Sequence, residues 1–290
     1  MLDQAALPDP VATPLGFFAP FGEDVEDRVA LCSAKADAIA DRLDAAMAAS
    51  GASVLSLDVF DTLLLRSDRS EAGRFWDMAE AASAEGLGAG PEDVLLARVQ
   101  ATALCYRTAE KSGLYGEAHI RDIYRQMGVL LARDDAPSVL ARVEREVETA
   151  NLHRNDALAE LITRCAARGQ RVMLLTDMYL GAEDVARLVT ALCGGDLPIA
   201  ALRSSADLHH SKRSGTAFSP AAEALGVATQ EIFHIGDNVE SDVAAARAVG
   251  CHALHFPILR AERRRRSADL ERTIVALQKR GIRTDGWAKV

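Results

Sequence analysis

From Glu23 to Ser50 the apolar positions Val25, Val29, Cys32, Ala36, Ile39, Leu43 and Met47 recur at alternating intervals of four and three. That spacing predicts an amphipathic helix lying on a core. A coiled-coil dimer seam is the rival reading of the same stripe. The pattern then changes to "ASVLSLD", a short apolar run ending in an acid, which has the form of a buried strand. After Arg66 come four helical stretches: "SEAGRFWDMAEAASAEGL", "GPEDVLLARVQATALCYRTAEKSG", "GEAHIRDIYRQMGVLL" and "APSVLARVEREVETANLH". Each is bounded by capping or turn residues and poor in β-branched runs. From about Asn155 the chain alternates between helices ("DALAELITRCAARG", "AEDVARLVTALCG", "TAFSPAAEALGV", "SDVAAARAVG") and strands ("QRVMLLT", "IAALRS", "EIFHIGD", "CHALHF").

Strands alternating with helices predict an α/β fold, a Rossmann-like parallel sheet with helices on both faces. One strand ahead of a long helical block and several after it mean that the block is inserted into this sheet domain. The expected division is an N-terminal arm and helix over 1–50, a core over 51–66 and 154–259, a helical insertion over 67–153, and a basic C-terminal tail and helix over 260–290. The first twenty residues are rich in proline and read as an irregular arm. In the tail, "RAERRRR" precedes a predicted short helix, "SADLERTIVALQKR". Such a cluster reads as a solvated face, or else as a contact for an anionic partner.

Composition narrows the function classes. The 290 residues carry a formal net charge of -9, which argues against nonspecific nucleic-acid binding. No apolar run approaches the length needed to cross a bilayer, and the N-terminus lacks a basic region ahead of an apolar core. Five cysteines are scattered without a CxxC pair, which suits reduced thiols rather than a disulfide framework or a zinc site. A cytoplasmic protein is the expectation.

Ligands of an open parallel sheet bind beyond the carboxyl ends of its strands. Here the predicted strand ends present Asp58, Thr176 and Asp237, and "GDNVESD" adds Asp242 five residues after Asp237. Asp177, beside Thr176, and Asp242 each read singly as a helix N-cap. Three acids brought to one edge would repel one another without a cation, and a hard divalent ion with oxygen ligands, most simply Mg2+, resolves that. Lys212, in "HHSKRSG", can supply a point charge to a phosphoryl oxygen, with the adjacent Arg213 as the alternative.

"LDVFDT", "VMLLT", "SK" and "HIGDNVESD" occur in the order and topology of the four motifs of the haloacid dehalogenase superfamily, which this sequence resembles over the core, about half the chain. More narrowly, "SLDVFDTLLLR", "LLTDMYL" and "FHIGDNVESDV" resemble a bacterial branch of predicted hydrolases often encoded with, or fused to, glycosyltransferases of surface-polysaccharide synthesis. The resemblance implies that Asp58 is a nucleophile forming an aspartyl-phosphate. It implies Mg2+ held by Asp58, Asp237 and the backbone carbonyl of Phe60, with Asp242 orienting the ion's surroundings. Thr62, Thr176 and Lys212 match the remaining motif positions, Thr176 and Lys212 serving the phosphoryl group.

Phe60 departs from the pattern. The superfamily's phosphatases place an acid–base aspartate there, and phenylalanine can neither protonate a leaving oxygen nor activate water. Asp61 is either a substitute for it or a cap of the turn after the strand. The dehalogenases of the superfamily also lack that aspartate, but they need no metal and do not keep the acids of "GDNVESD". The inserted helices correspond to a cap that closes over the site and chooses the substrate. Its polar candidates are Arg66, Arg74, Tyr106, Arg107 and Glu110, with Asp177 as a further substrate contact. A cap of this size favours a small phosphorylated metabolite such as a sugar or polyol phosphate. The rivals are a metal-independent 2-halo acid dehalogenase and a weakly active phosphate-binding protein that partners a polysaccharide enzyme or forms a homodimer.

Overall fold

The computed structural model describes residues 16–22, 25–112 and 117–284. Seven strands occur among them: β1 (Val54–Leu57), β2 (Leu64–Arg66), β3 (Leu152–Arg154), β4 (Arg171–Thr176), β5 (Ala201–Ser204), β6 (Ile232–Gly236) and β7 (His252–His255). Five of them form one parallel sheet in the order β5-β4-β1-β6-β7. β1 is therefore central, with Leu57 in register with Leu174 on one side and Ile235 on the other. This brings the ends of β1, β4 and β6 to one edge. Leu55, Leu57, Leu174 and Ile235 are fully buried, as the uninterrupted apolar runs of a sheet covered on both faces require.

β2 and β3 pair antiparallel, and the helical block lies between them in sequence. Its helices are Glu71–Ala84, Pro91–Lys111, Ile120–Leu130 and Ala136–Ala150. The two short strands were not expected; β3 takes up residues that the helical pattern had assigned to the end of the preceding helix. Three residues are too few for a period of two to stand out against a helix end.

The N-terminal stripe divides into two helices, Arg28–Ala34 and Ala36–Ser50. Ile39, Leu43 and Met47 are buried in the chain's own core, with Met47 Sδ 3.7 Å from Cys165 Sγ of the helix Asp156–Ala167. The stripe is thus a core face of the chain itself. Part of the expected arm is also core. Gly16–Phe21 forms a 3-10 turn whose Phe17 and Phe18 rings pack on Phe256, with centroids 5.6 and 4.9 Å away. The first fifteen residues of that arm lie outside the described residues.

The tail helix is longer than expected. Arg260–Lys279 takes in the whole basic cluster and packs on the helix Glu71–Ala84. No described helix is long and apolar enough to cross a membrane. All five cysteines are free thiols.

Candidate active site

A cavity of about 470 Å³ opens at the carboxyl edge of the sheet. Its lining includes Asp58 after β1, Thr176 and Asp177 at the end of β4, Lys212, and Asp237 and Asp242 after β6. Lys212 is 2% exposed, and its ammonium lies 2.6 Å from Asp58 Oδ1 and 2.6 Å from Asp242 Oδ1. Lys212, not the exposed Arg213, is therefore the central cation. Asp177 sets its position, accepting hydrogen bonds from the backbone N–H of Lys212 (2.8 Å) and of Arg213 (3.2 Å). Asp177 clamps a loop rather than capping its own helix.

Asp242 is held from several directions. Oδ1 also meets His234 Nε2 at 3.2 Å, and Oδ2 accepts the N–H of Asn238 at 2.9 Å. His234 is fully buried and bridges to Ser56 Oγ through Nδ1 at 2.8 Å, a structural role. The backbone over Val239–Ala244 takes a wide π-type turn, with Asn238 accepting the N–H groups of Glu240 and Ser241. Such turns recur at functional sites, and this one folds Asp242 back across the strand end. Gly236 has its explanation there. A Cβ at this position would overlap the Asp242 carboxyl group. Close approach of the Asp242 carboxyl group requires the glycine.

One carboxylate oxygen from each of Asp58, Asp237 and Asp242 lies within 4.8 Å of the others. Burial drives the Asp58 carboxyl upward, and the Asp242 charge adds to that against Lys212. Burial and the charges of Asp58, Asp61 and Asp242 push Asp237 well above the usual carboxylate range. Asp242 moves the other way: the opposing charges and hydrogen bonds of Lys212 and His234 outweigh its burial. A divalent cation would relieve the two raised groups, and an all-oxygen donor set suits a hard ion such as Mg2+. The residues therefore fit the ion.

Several expected site residues lie elsewhere. Asp61 is no acid–base group. Arg28 and Arg266 pair with its carboxylate at distances of 2.7–3.0 Å, and Arg66 N–H donates to it at 3.3 Å. Burial pushes Asp61 upward, but the Arg266 bond and the arginine charges prevail and hold it at about 2. Thr62 is fully buried, accepts from Asn155 Nδ2 through its backbone carbonyl, and does not line the cavity. Arg66 is taken by Glu148 (Nη1 to Oε2, 2.7 Å) and lies over the Phe60 ring with its guanidinium carbon 4.7 Å from the centroid. Arg74 shares the same Glu148. Arg107 is exposed and bonds the Ala103 carbonyl within its own helix, and Glu110 is exposed as well. None of these arginines is among the described residues that line the cavity.

Of the candidates on the helical block, only Tyr106 lines the cavity, together with Phe60 and a residue that sequence reasoning missed, Glu117. Glu117 stands between two helical segments, where a glutamate is unremarked, and no spacing could have pointed it at the sheet edge.

Residues 53–250 match the family model of the haloacid dehalogenase-like hydrolases, and the chain belongs to that hydrolase family. Several solved structures are similar to the chain. A 2-haloacid dehalogenase from Pseudomonas syringae pv. Tomato superposes with a TM-score of 0.50 at 17% identity, over 71% of this chain and 86% of that one. An L-2-haloacid dehalogenase from Xanthobacter autotrophicus gives 0.48 at 16% identity, over 78% and 83%. A HAD-family enzyme from Bacteroides thetaiotaomicron, in complex with magnesium and inorganic phosphate, gives 0.49 at 12% identity, over 72% and 96%. No curated protein sequence matches the chain.

Proposed function

We propose that this chain is a Mg2+-dependent phosphohydrolase acting on a small phosphorylated metabolite through an aspartyl-phosphate on Asp58. The observation that carries the reading is the placement of the Lys212 ammonium between Asp58 and Asp242, 2.6 Å from each, beside the third acid Asp237. Three clustered acids able to hold a divalent cation beside a fixed ammonium suit a phosphoryl substrate, whereas halide displacement from a 2-halo acid gives those acids nothing to do.

Asp58 would attack phosphorus, with Lys212 favouring its ionised form against burial and then neutralising charge on the transferring group. Thr176, buried at the end of β4, donates its hydroxyl to a phosphoryl oxygen. Asp58, Asp237 and the Phe60 carbonyl would hold the ion, which supplies Lewis-acid stabilisation of the transferring group. Both oxygens of Asp242 are already engaged, which suits it to orienting the ion's surroundings rather than binding it. The helices of 67–153 act as a cap over the cavity, since Tyr106 and Glu117 reach its lining from that block. Free thiols throughout fit the reducing compartment expected for such an enzyme. Association with a polysaccharide enzyme rests on the resemblance of the motifs alone.

The test is phosphate release from a panel of sugar, polyol and nucleotide phosphates, with Mg2+ and with EDTA, beside Asp58→Asn. Release that needs both the metal and Asp58 supports the reading. EDTA-resistant halide release from a 2-halo acid overturns it in favour of dehalogenation. A folded protein that turns over nothing in the panel overturns it in favour of a binding role.

A further inference from the structure

A phosphate ester leaves poorly unless its bridging oxygen gains a proton, and the second half of the reaction needs a water to lose one. The cavity contains few groups that can do either. Phe60 has no exchangeable proton. Asp58 and Asp242 are held by Lys212, and Asp237 clusters with both. The Asp177 carboxylate accepts two backbone N–H groups. Burial pushes the Tyr106 phenol up to about 12, too high to lose its proton readily. Among the described residues, Glu117 is the remaining carboxyl group in the lining.

Its position is pinned. Two residues on, His119 lies 3.2 Å from Asp207 Oδ1, and the N–H of Ile120 donates to the Tyr179 carbonyl at 2.7 Å. Tyr179 belongs to the segment that leaves β4 just after Thr176 and Asp177, so the backbone three residues after Glu117 is tied to the sheet edge. Tyr106 faces it from the helix Pro91–Lys111 and Asp177 from the end of β4, while Arg213 lines the same cavity from the Lys212 loop. Burial raises the Glu117 carboxyl to about 7, with the Asp177 charge adding to it and a Ser205 hydrogen bond opposing it.

We propose that Glu117, reaching the cavity from the helical block, is the acid–base catalyst of this site, in place of the side chain that Phe60 lacks. The inference rests on the phosphohydrolase reading. As Asp58 bonds to phosphorus, the bond from phosphorus to the ester oxygen breaks, and that oxygen takes its electron pair and the Glu117 proton to leave as an alcohol. The Glu117 carboxylate then takes a proton from water as the water oxygen bonds to phosphorus. The Asp58–phosphorus bond breaks with its electron pair returning to Asp58, which releases phosphate and leaves Glu117 protonated.

The experiment compares wild type, Glu117→Gln, Glu117→Asp and Asp58→Asn on phenyl phosphate and 4-nitrophenyl phosphate with Mg2+. Nitrophenolate departs without a proton, so Glu117→Gln should lower kcat/KM for phenyl phosphate by about 10²–10⁴-fold while changing it little for 4-nitrophenyl phosphate. The same variant should release one equivalent of nitrophenol in a burst and then stall, because the water step has lost its base. Glu117→Asp should recover part of the phenyl phosphate rate. In wild type, kcat/KM for phenyl phosphate should fall above about pH 7, where Glu117 loses its proton, and this limb should vanish in the glutamine variant. A glutamine variant with equal losses on both esters, or none, overturns the proposal. Wild type without Mg2+-dependent release, or Asp58→Asn with full activity, overturns the phosphohydrolase reading itself and Glu117's role with it.

Discussion

Arg266 forks onto Asp61, with Nη1 2.9 Å from Oδ2 and Nη2 2.7 Å from Oδ1. The arginine belongs to the basic cluster of the C-terminal helix, and the acid stands on the loop that leaves β1 just after Asp58. Arg28, from the first N-terminal helix, bonds the same loop through the Asp61 carbonyl (2.7 Å) and Oδ1 (3.0 Å), and its own side chain is held by Glu262. Both termini thus grip the loop. Asp61 itself is left-handed, with φ of 60°, a conformation that aspartate tolerates better than most residues. Part of the basic cluster therefore binds an anion within the chain.

Asp61→Asn should destabilise the fold by about 3 kcal/mol, because the half-buried Arg266 loses its carboxylate and the buried Arg28 is left with Glu262 alone. The pH dependence has a definite sign. The Asp61 carboxyl sits at about 2 in the folded chain, below its unfolded value of ~3.9, so its contribution is complete above about pH 4. It is lost as the pH falls toward 2, amounting to about 2–3 kcal/mol in all. Denaturant titrations between pH 2 and 6 should show that slope in wild type and a shallower one in the variant.

Lys212→Met leaves Asp58 and Asp242 facing each other with no fixed cation between them. Phosphate release should drop by about 10²–10³-fold, the scale of losing one electrostatic group at a reacting centre. Activity within tenfold of wild type, in a variant whose circular dichroism is unchanged, would contradict the role given to Lys212.

Gly236→Ala puts a methyl group where the Asp242 carboxyl now lies, so Asp242 must leave its bonds to Lys212, His234 and Asn238. We expect a loss of about 1–3 kcal/mol from overpacking. The Mg2+ concentration for half-maximal activity should rise about 10–100-fold, as when a group supporting a metal site is displaced. A Mg2+ titration of the folded variant checks it.

Glu144 joins the helical block to the sheet domain, accepting from Arg98 (2.8 Å) and Tyr124 (3.0 Å) of the block and from Tyr179 (3.1 Å) beyond β4. Glu144→Gln would leave the fully buried Arg98 without its counter-ion and should cost about 3–5 kcal/mol. Tyr179→Phe removes one hydrogen bond alone and should cost about 1 kcal/mol. Urea denaturation of the two variants separates the charge from the tether.

The apolar runs and their alternation with helices determined a parallel sheet, the point at which the helical block enters it, and the residues standing at its strand ends: Asp58, Thr176 and Asp237. These are local signals, because a run's length and period depend only on neighbours in sequence. Tertiary structure decided the rest. Asp61 was open between catalysis and a turn until partners 33 and 205 residues away closed on it. Arg66 and Arg107 looked alike as candidates, yet one is buried against Glu148 and the other faces solvent. Glu117 carried no signal at all, since its place in the cavity follows from how the segment around Ile120 docks on Tyr179. Hydrophobic periodicity reports which face of an element is buried, but a charged side chain takes its role from whatever the fold brings opposite it.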